Sequence, residues 1–245
     1  MQTLREETTF ADTSGMALDT RPFVGPIIAD GSRASAPADD RLWHVVKRAF
    51  DVIIATALLI VALPLLILIA GLVKLDSPGP VIFRQRRYGR RLEPFTVWKF
   101  RTMHDGASPE AHRQYIAGLA AGAHNGQAGL KKLTGDPRVT GLGAVLRRTS
   151  LDELPQLVNV LRGDMSLVGP RPALEYEFEH YAAVHFDRFL VRPGLTGLWQ
   201  VSGRSLLGFE DMLDLDVTYA RGCGPGLDAM ILLRTPRAVL VGRAA

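Results

Sequence analysis

The stretch VIIATALLIVALPLLILIAGLV, residues 52–73, decides the fold of this chain. It holds no charged residue, and as a helix rising 1.5 Å per residue it is about 33 Å long, enough to cross the hydrocarbon core of a bilayer. It lies too far into the sequence, and lacks the small-residue cleavage site, to be an ordinary secretory signal. Two features argue against simple crossing. Pro64 sits mid-segment, where it removes a backbone hydrogen bond and tends to kink a helix. Both flanks are basic: Arg41, Lys47 and Arg48 precede the segment, and Lys74, Arg84, Arg86, Arg87, Arg90 and Arg91 follow it. Positive charge on both sides assigns no orientation, as expected when both ends stay cytoplasmic. A kinked helix that enters and leaves through one leaflet satisfies both features, provided that protein or water meets the carbonyl freed at the kink. A plain span and a buried helix of a soluble domain stay open on these residues alone. Asp51, at the head of the segment, is expected to pair with Lys47 or Arg48, or to stand exposed in a first turn where the helix dipole favours it.

Upstream, residues 1–46 are poor in large apolar periodicity and rich in Ala, Asp, Pro, Gly, Ser and Thr, and they read as a disordered tail. The 245-residue chain is long enough for one domain with a real core beside such appendages. A net charge of +4 favours anionic partners without naming them. The single cysteine, Cys223, excludes an intrachain disulfide and any multi-cysteine metal site. The histidines show no metal-binding spacing; His180 and His185 are not at i, i+4. No phosphate-binding GxxxxGK[ST] loop and no GxSxG elbow occurs, which removes most support for a nucleotide kinase or a serine hydrolase.

Downstream, residues 81–83 and 95–100 are β-rich runs around a turn at Gly89 and read as a hairpin, with Lys99 and Arg101 at its far end. Residues 108–119 read as a helix and 120–129 as a Gly/Ala-rich connection. A short helix is expected over 139–148. Leu154, Leu157, Val158 and Leu161 recur at i, i+3, i+4 and i+7, one apolar face of a helix that stops at Gly163. Residues 174–189, 210–219 and 227–241 read as further helices, the last of them near a surface or interrupted at Pro236.

The chemistry lies in SLDELPQ (150–156) and GDMSLVGPRP (163–172). Ser150-x-x-Glu153 has the form of a capping box, in which Glu153 would satisfy backbone N–H groups, and the helix dipole would favour Asp152 in a first turn. Against that, Pro155 suits the first helical position, which places both acids just outside the helix. The adjacent carboxylates stand between Arg147 and Arg148 on one side and Arg171 on the other. A carboxylate is ionised at neutral pH, so Asp152 needs no base to act as a nucleophile; it needs an electrophile whose negative charge is masked. Glu153 can hold Mg²⁺, which takes hard oxygen ligands and shares them with substrate phosphates, and arginines supply bidentate donors for the other phosphate oxygens. Lys99, Arg101, Arg147, Arg171, Arg192 and Arg204 are the candidate phosphate and substrate ligands. The last two flank the Gly-rich RPGLTGLWQVSGR (192–204), whose backbone can approach a ligand closely.

With KRAFD (47–51) before the apolar segment and KFRTM (99–103) after the hairpin, these motifs in this order resemble the bacterial monotopic phosphoglycosyl transferases, from about Lys47 to the C-terminus. Any one motif is weak; five in order are specific. The resemblance implies an α+β, predominantly helical fold: a membrane-associated catalytic domain with a small β-hairpin and an N-terminal re-entrant (monotopic) membrane helix. It implies a tail over 1–46, the re-entrant helix over 47–75 and a cytoplasmic catalytic domain over 76–245, on the cytoplasmic face of the bacterial inner membrane.

The implied reaction takes a UDP-sugar and undecaprenyl phosphate to sugar-diphosphate-undecaprenol and UMP, the first step of exopolysaccharide or related glycan assembly. Asp152 matches the nucleophile that forms a phosphosugar intermediate, Glu153 the Mg²⁺ ligand, and Arg147 and Arg171 lie in the matching phosphate-site motifs. Membrane lipids are implied partners and nucleic acid is not; a homo-oligomer is left open. Three departures stand out: Leu63 rather than Ser precedes Pro64, residues 220–224 replace an expected aromatic-Ser pair, and the chain resembles the minimal form without several N-terminal spans. A catalytically silent membrane-anchored adaptor that binds acidic headgroups through its basic patches is the alternative from another class.

Overall fold

The computed structural model describes residues 41–106, 108, 110–121, 136–203 and 207–241. The expected tail lies outside them except for its last residues, as do most of the Gly/Ala-rich connection and Arg204. Helix α1 (Arg41–Asp76) begins inside the segment read as tail and continues through Pro64 to the far flank. A long apolar run with no glycine before residue 71 gives α1 its length, and Arg101 receives its C-terminal end. The Arg101 guanidinium donates to Val73 O (3.2 Å), Ser77 O (2.6 Å) and Oγ (3.0 Å), and Pro80 O (2.5 Å), so carbonyls orphaned at a helix end find a cation.

Strands β1 (Ile82–Tyr88) and β2 (Pro94–Phe100) form the expected hairpin, with Gln85 opposite Val97 and Tyr88 opposite Pro94. Helix α2 (Glu110–Ala120) follows. Thr140 caps α3 (Gly141–Thr149), its Oγ1 accepting from Gly143 N at 3.0 Å. Helix α4 (Gln156–Arg162) ends as expected at Gly163, whose φ of 89° closes the cap; Leu154, Leu157 and Leu161 meet the core, but Val160 rather than Val158 completes the buried face. Asn159 on α4, fully buried, ties it to β2: its Nδ2 donates to Thr96 O at 2.7 Å and its Oδ1 accepts from Trp98 N at 3.1 Å.

A second sheet was not expected. Strands β3 (Ser166–Val168) and β4 (Gly194–Thr196) pair in parallel, bringing GPRP beside RPG. The 174–189 region is not one helix but two 3₁₀ segments, Glu175–His180 and Ala183–Leu190. Side chains stop each from extending: Glu177 accepts from Leu174 N, and His185 Nδ1 accepts from Ala182 N. Short α5 (Leu198–Val201), then α6 (Phe209–Gly222) and α7 (Pro225–Val241) complete the domain, α7 running through Pro236 without interruption.

One face of α1 packs on this domain along its length. Asp51, Ala55, Ile69 and Val73 are buried, with Leu59 and Leu66 packed between them, whereas Ile53, Leu58, Ile60, Val61, Ile67 and Leu68 are exposed. It is the one helix among the described residues long and apolar enough to cross a membrane. The expected ion pair of Asp51 is not formed. Its Oδ1 accepts from Leu167 N at 3.0 Å, while Lys47 reaches Asp228 at 2.5 Å and Arg48 donates to Val160 O and Leu161 O at the end of α4. Asp51 is taken by β3 because that backbone N–H is buried and otherwise lacks an acceptor.

Candidate active site

Ser150 determines how the two acids are presented. It adopts a left-handed conformation, φ 58°, and closes α3 by donating its backbone N–H to Arg147 O and Leu146 O. The chain then makes a single 3₁₀ turn, Leu151–Glu153, before Pro155 opens α4. The capping box is therefore absent: Ser150 makes no side-chain cap, and Glu153 Oε1 instead accepts from Lys99 Nζ at 2.6 Å. Both acids lie outside α4, as the position of Pro155 implied.

Asp152 is buried, 8% exposed, and Glu153 is partly open. Burial, then the charge of Glu153, pushes the Asp152 carboxyl up to about 6, with Lys99 and Arg147 pulling the other way. At neutral pH Asp152 is thus a mostly ionised carboxylate that has been stripped of water. That combination makes a reactive oxygen nucleophile wherever nearby cations mask the charge of an approaching phosphate.

The cations are present. Lys99 on β2 and Arg147 in the last turn of α3 bear directly on Asp152. Arg171 stands on the stiff GPRP turn, its carbonyl held by Arg188 Nη2 at 2.7 Å. Arg87 was missed in the sequence as a site residue. Its guanidinium is buried, donates to Pro172 O at 3.0 Å and to Gln85 Oε1, and is lowered to about 10 by burial and by Arg171. Strand parity is the signal that could have found it, since Gln85 and Arg87 share the inward face of β1. Glu177 balances part of this charge; although burial works against its ionised form, Arg171, Arg87 and Arg188 hold it below the usual carboxylate range.

His112 on α2 and Tyr176 close the cluster. Tyr176 Oη lies 2.5 Å from His112 Nδ1, and their rings meet edge to face. Burial, then Arg171, Arg87 and Arg147, drives His112 down to about 4, so the imidazole is neutral at physiological pH.

Two of the expected ligands are not brought here. Arg101 faces away, its guanidinium consumed by the end of α1, because β2 ends at Phe100 and the alternation that would align it with Lys99 ends there too. Arg192 Nε donates to Gly163 O at 2.9 Å, at the C-terminal end of α4 rather than the end that carries the acids. Arg204 lies outside the described residues. No group of three or more His, Cys, Asp or Glu side chains able to hold a metal occurs among the described residues.

A predominantly helical domain with an apolar N-terminal helix and an acid pair set among cations is the frame of a sugar transferase. Residues 42–242 match the family model described as bacterial sugar transferase, and the chain belongs to that family. It is 41% identical over 199 residues to the exopolysaccharide production protein ExoY of Sinorhizobium fredii, covering 81% of this chain and 87% of that protein. It is 40% identical over 210 residues to the UDP-glucose:undecaprenyl-phosphate glucose-1-phosphate transferase of Escherichia coli, covering 82% of this chain and 42% of that protein. Over 200 residues it is 40% identical to the undecaprenyl-phosphate galactose phosphotransferase of Salmonella typhimurium, covering 82% of this chain and 41% of that protein.

Proposed function

We propose that this protein transfers a sugar-1-phosphate from a UDP-sugar to undecaprenyl phosphate and releases UMP, through a covalent intermediate on Asp152, as the first step of exopolysaccharide or related glycan assembly. The observation that carries the reading is a buried, largely ionised Asp152 beside Glu153, faced by Lys99 and Arg147 with Arg171 and Arg87 nearby. A carboxylate oxygen of Asp152 attacks the sugar-bearing phosphorus, and the bond from that phosphorus to the oxygen of UMP breaks. The cations spread the charge that builds on the phosphoryl oxygens. Lipid phosphate then attacks the same phosphorus from the site UMP has left, and Asp152 departs as a carboxylate. One site thereby serves a nucleotide and a bulky lipid in turn.

A magnesium ion fits these residues. The charge of Glu153 helps raise the Asp152 carboxyl, a strain that a cation relieves, and magnesium characteristically takes one or two protein carboxylates and completes its shell with water and substrate phosphate. Glu153, the more open acid, would hold it, exchanging its bond to Lys99; when bound, the ion supplies charge neutralisation on the diphosphate.

The packing of α1 supports the monotopic placement on the inner face of the cytoplasmic membrane. Arg48 near one end is bonded to α4, and Val73 near the other is bonded to Arg101 of the same domain. A helix fastened to one domain at both ends does not carry one of those ends to the opposite side of a bilayer, whereas its exposed apolar face suits entry into a single leaflet.

The test is nucleotide release from a panel of UDP-sugars by the detergent-purified full chain with Mg²⁺ and undecaprenyl phosphate. UMP formed with one donor supports the reading and names the sugar. UDP release replaces it with simple glycosyl transfer, and no release by folded protein favours the silent adaptor. Tags at the two termini are expected to be accessible from the same, cytoplasmic side in a protease-protection assay; opposite accessibility refutes the re-entrant placement.

A further inference from the structure

Away from the acid pair, the head of α1 closes a second polar hollow. Lys47, Arg48 and Asp51 of α1 line a cavity of about 410 Å³ together with Arg90, Ser166 and Arg192. Arg90 and Arg192 also line an adjoining cavity of about 630 Å³, which is walled by Glu93 and Asp164 as well. We propose that this hollow binds an anionic phospholipid headgroup, its phosphodiester held by Arg90, Arg192 and Ser166 and its hydroxyls received by Glu93 and Asp164; this rests on the membrane placement proposed above. The hollow is not the catalytic site. Arg192 bonds the end of α4 at Gly163, whereas the acids precede the first turn of that helix, and its seven residues span about 10 Å.

Charge is the first ground. Arg48 spends both terminal nitrogens on Val160 O and Leu161 O, and Lys47 is paired with Asp228. Arg90 and Arg192 each spend only Nε, on Leu190 O at 3.2 Å and Gly163 O at 2.9 Å. Their terminal nitrogens have no protein acceptor among the described residues, and two such forks on one hollow suit the oxygens of a phosphate. Ser166 is the second ground. It is 1% exposed, its backbone N–H is taken by Pro193 O, and its Oγ meets no partner among the described residues. A buried hydroxyl left without a partner costs stability, and a ligand in the cavity that it lines completes it. The rim identifies the source of the phosphate. Leu92, beside Arg91, and Leu190, whose carbonyl Arg90 holds, are exposed, and the charge-free run of α1 starts at Val52, directly after Asp51. Exposed apolar groups beside cations suit a lipid, which brings acyl chains with its phosphate, better than a free phosphate. With α1 entering one leaflet, residues 47–51 stand at headgroup depth.

The experiment follows thermal unfolding of the full chain in neutral detergent with phosphatidylglycerol, phosphatidylcholine or inorganic phosphate added. It compares the wild type with Arg90→Gln, Arg192→Gln and Ser166→Ala, each against its own value without addition. A ligand at about ten times its dissociation constant raises the melting temperature of a domain this size by about 3–6 °C. Phosphatidylglycerol is expected to give that rise in the wild type. Phosphatidylcholine, whose choline cancels the charge and donates no hydrogen bond, should give under about 1 °C. Arg90→Gln and Arg192→Gln should each remove about half of the rise or more. Ser166→Ala, which leaves no hydroxyl unpartnered, should start no lower than the wild type yet gain less from the lipid, a separation that a packing role would not produce. An equal rise with phosphatidylcholine, or a rise with phosphatidylglycerol that survives both arginine changes, overturns the proposal. Inorganic phosphate alone matching phosphatidylglycerol overturns the lipid as the source and reassigns the hollow to a soluble phosphate. Failure of the wild type to sediment with phosphatidylglycerol vesicles is a different failure, that of the membrane placement itself, and removes this proposal with it.

Discussion

Replacing Arg188 with methionine is expected to be among the most damaging single changes outside the acid pair. Arg188 and Asp216 are both almost fully buried and meet at 2.7 Å, joining the 3₁₀ segment Ala183–Leu190 to α6. Arg188 also donates to Tyr181 Oη and, at 2.7 Å, to the Arg171 carbonyl. Breaking a buried pair by removing one partner typically costs about 3–5 kcal/mol, because the other charge stays behind without compensation. At about 2–4 °C per kcal/mol for a domain of this size, Arg188→Met should lower the melting temperature by about 6–20 °C.

The pH dependence has a definite direction. Burial already pushes the Asp216 carboxyl up to about 7 against the pull of Arg188, far above the 3.8 of a free carboxyl. A group raised on folding contributes stability below its unfolded pKa and loses it as pH climbs through the folded one. Without Arg188 the folded value rises further, so the penalty should be smaller at pH 5 than at pH 8. Tryptophan fluorescence during thermal unfolding in detergent measures both. Arg188→Met/Asp216→Leu, which removes both charges and leaves an apolar pair, should recover a good part of the loss. A drop of under about 2 °C, or a larger penalty at pH 5, would refute the reasoning.

Four further outcomes are expected. Asp152→Asn should abolish UMP release while leaving the melting temperature within a few degrees. In the wild type the rate should fall as acid protonates Asp152, and Lys99→Met, which removes an opposing cation, should move that acidic limb to higher pH, as read from pH–rate profiles of UMP formation. Arg101→Met should destabilise the fold by loosening the end of α1 yet leave kcat per folded molecule within about threefold, because its guanidinium serves Val73, Ser77 and Pro80 rather than the acid pair. Gly194→Ala should cost about 3 kcal/mol or prevent folding, because a Cβ there would sit 2.1 Å from Gly169 N and force β3 and β4 apart; Gly141→Ala, facing open space, is the matched control for yield and thermal stability.

Local patterns announced the elements whose cause is local. The β-rich runs around Gly89 gave the hairpin, and the spacing of Leu154, Leu157, Val158 and Leu161 gave α4 and its stop at Gly163. The β3–β4 pair was not legible, because strands of three residues carry too little alternation and their pairing is non-local. The acid pair was found by composition, but its mounting was not. Ser150-x-x-Glu153 spells a capping box, whereas the long-range bond from Lys99 to Glu153 wins over the local cap. The arginines show the same limit. A guanidinium in a charged motif advertises an anion partner, yet Arg101 and Arg192 meet backbone carbonyls at the ends of α1 and α4, where helix dipoles present partial negative charge. Sequence reports that charge is present; only tertiary packing decides whether phosphate or a helix end receives it.

The end of β2 joins the apolar helix to the chemistry. Lys99 holds Glu153, and two residues later Arg101 holds the carbonyls at the end of α1, with Phe100 between them buried against Ile69 and Val73. At the other end of α1, Arg48 bonds the last carbonyls of α4, the helix that begins immediately after the acid pair. The acids thus sit in a frame whose two sides, β2 and α4, are each clamped to α1 and to each other through Asn159. In the proposed reaction, where a lipid phosphate attacks a phosphosugar carried on Asp152, the site needs a fixed height above the apolar layer. Fastening both walls of the site to one apolar helix sets that height by covalent geometry and short hydrogen bonds, without a flexible linker. The packing of α1 therefore sets where Lys99 and Glu153 stand relative to the apolar layer, without contributing a group to the chemistry itself.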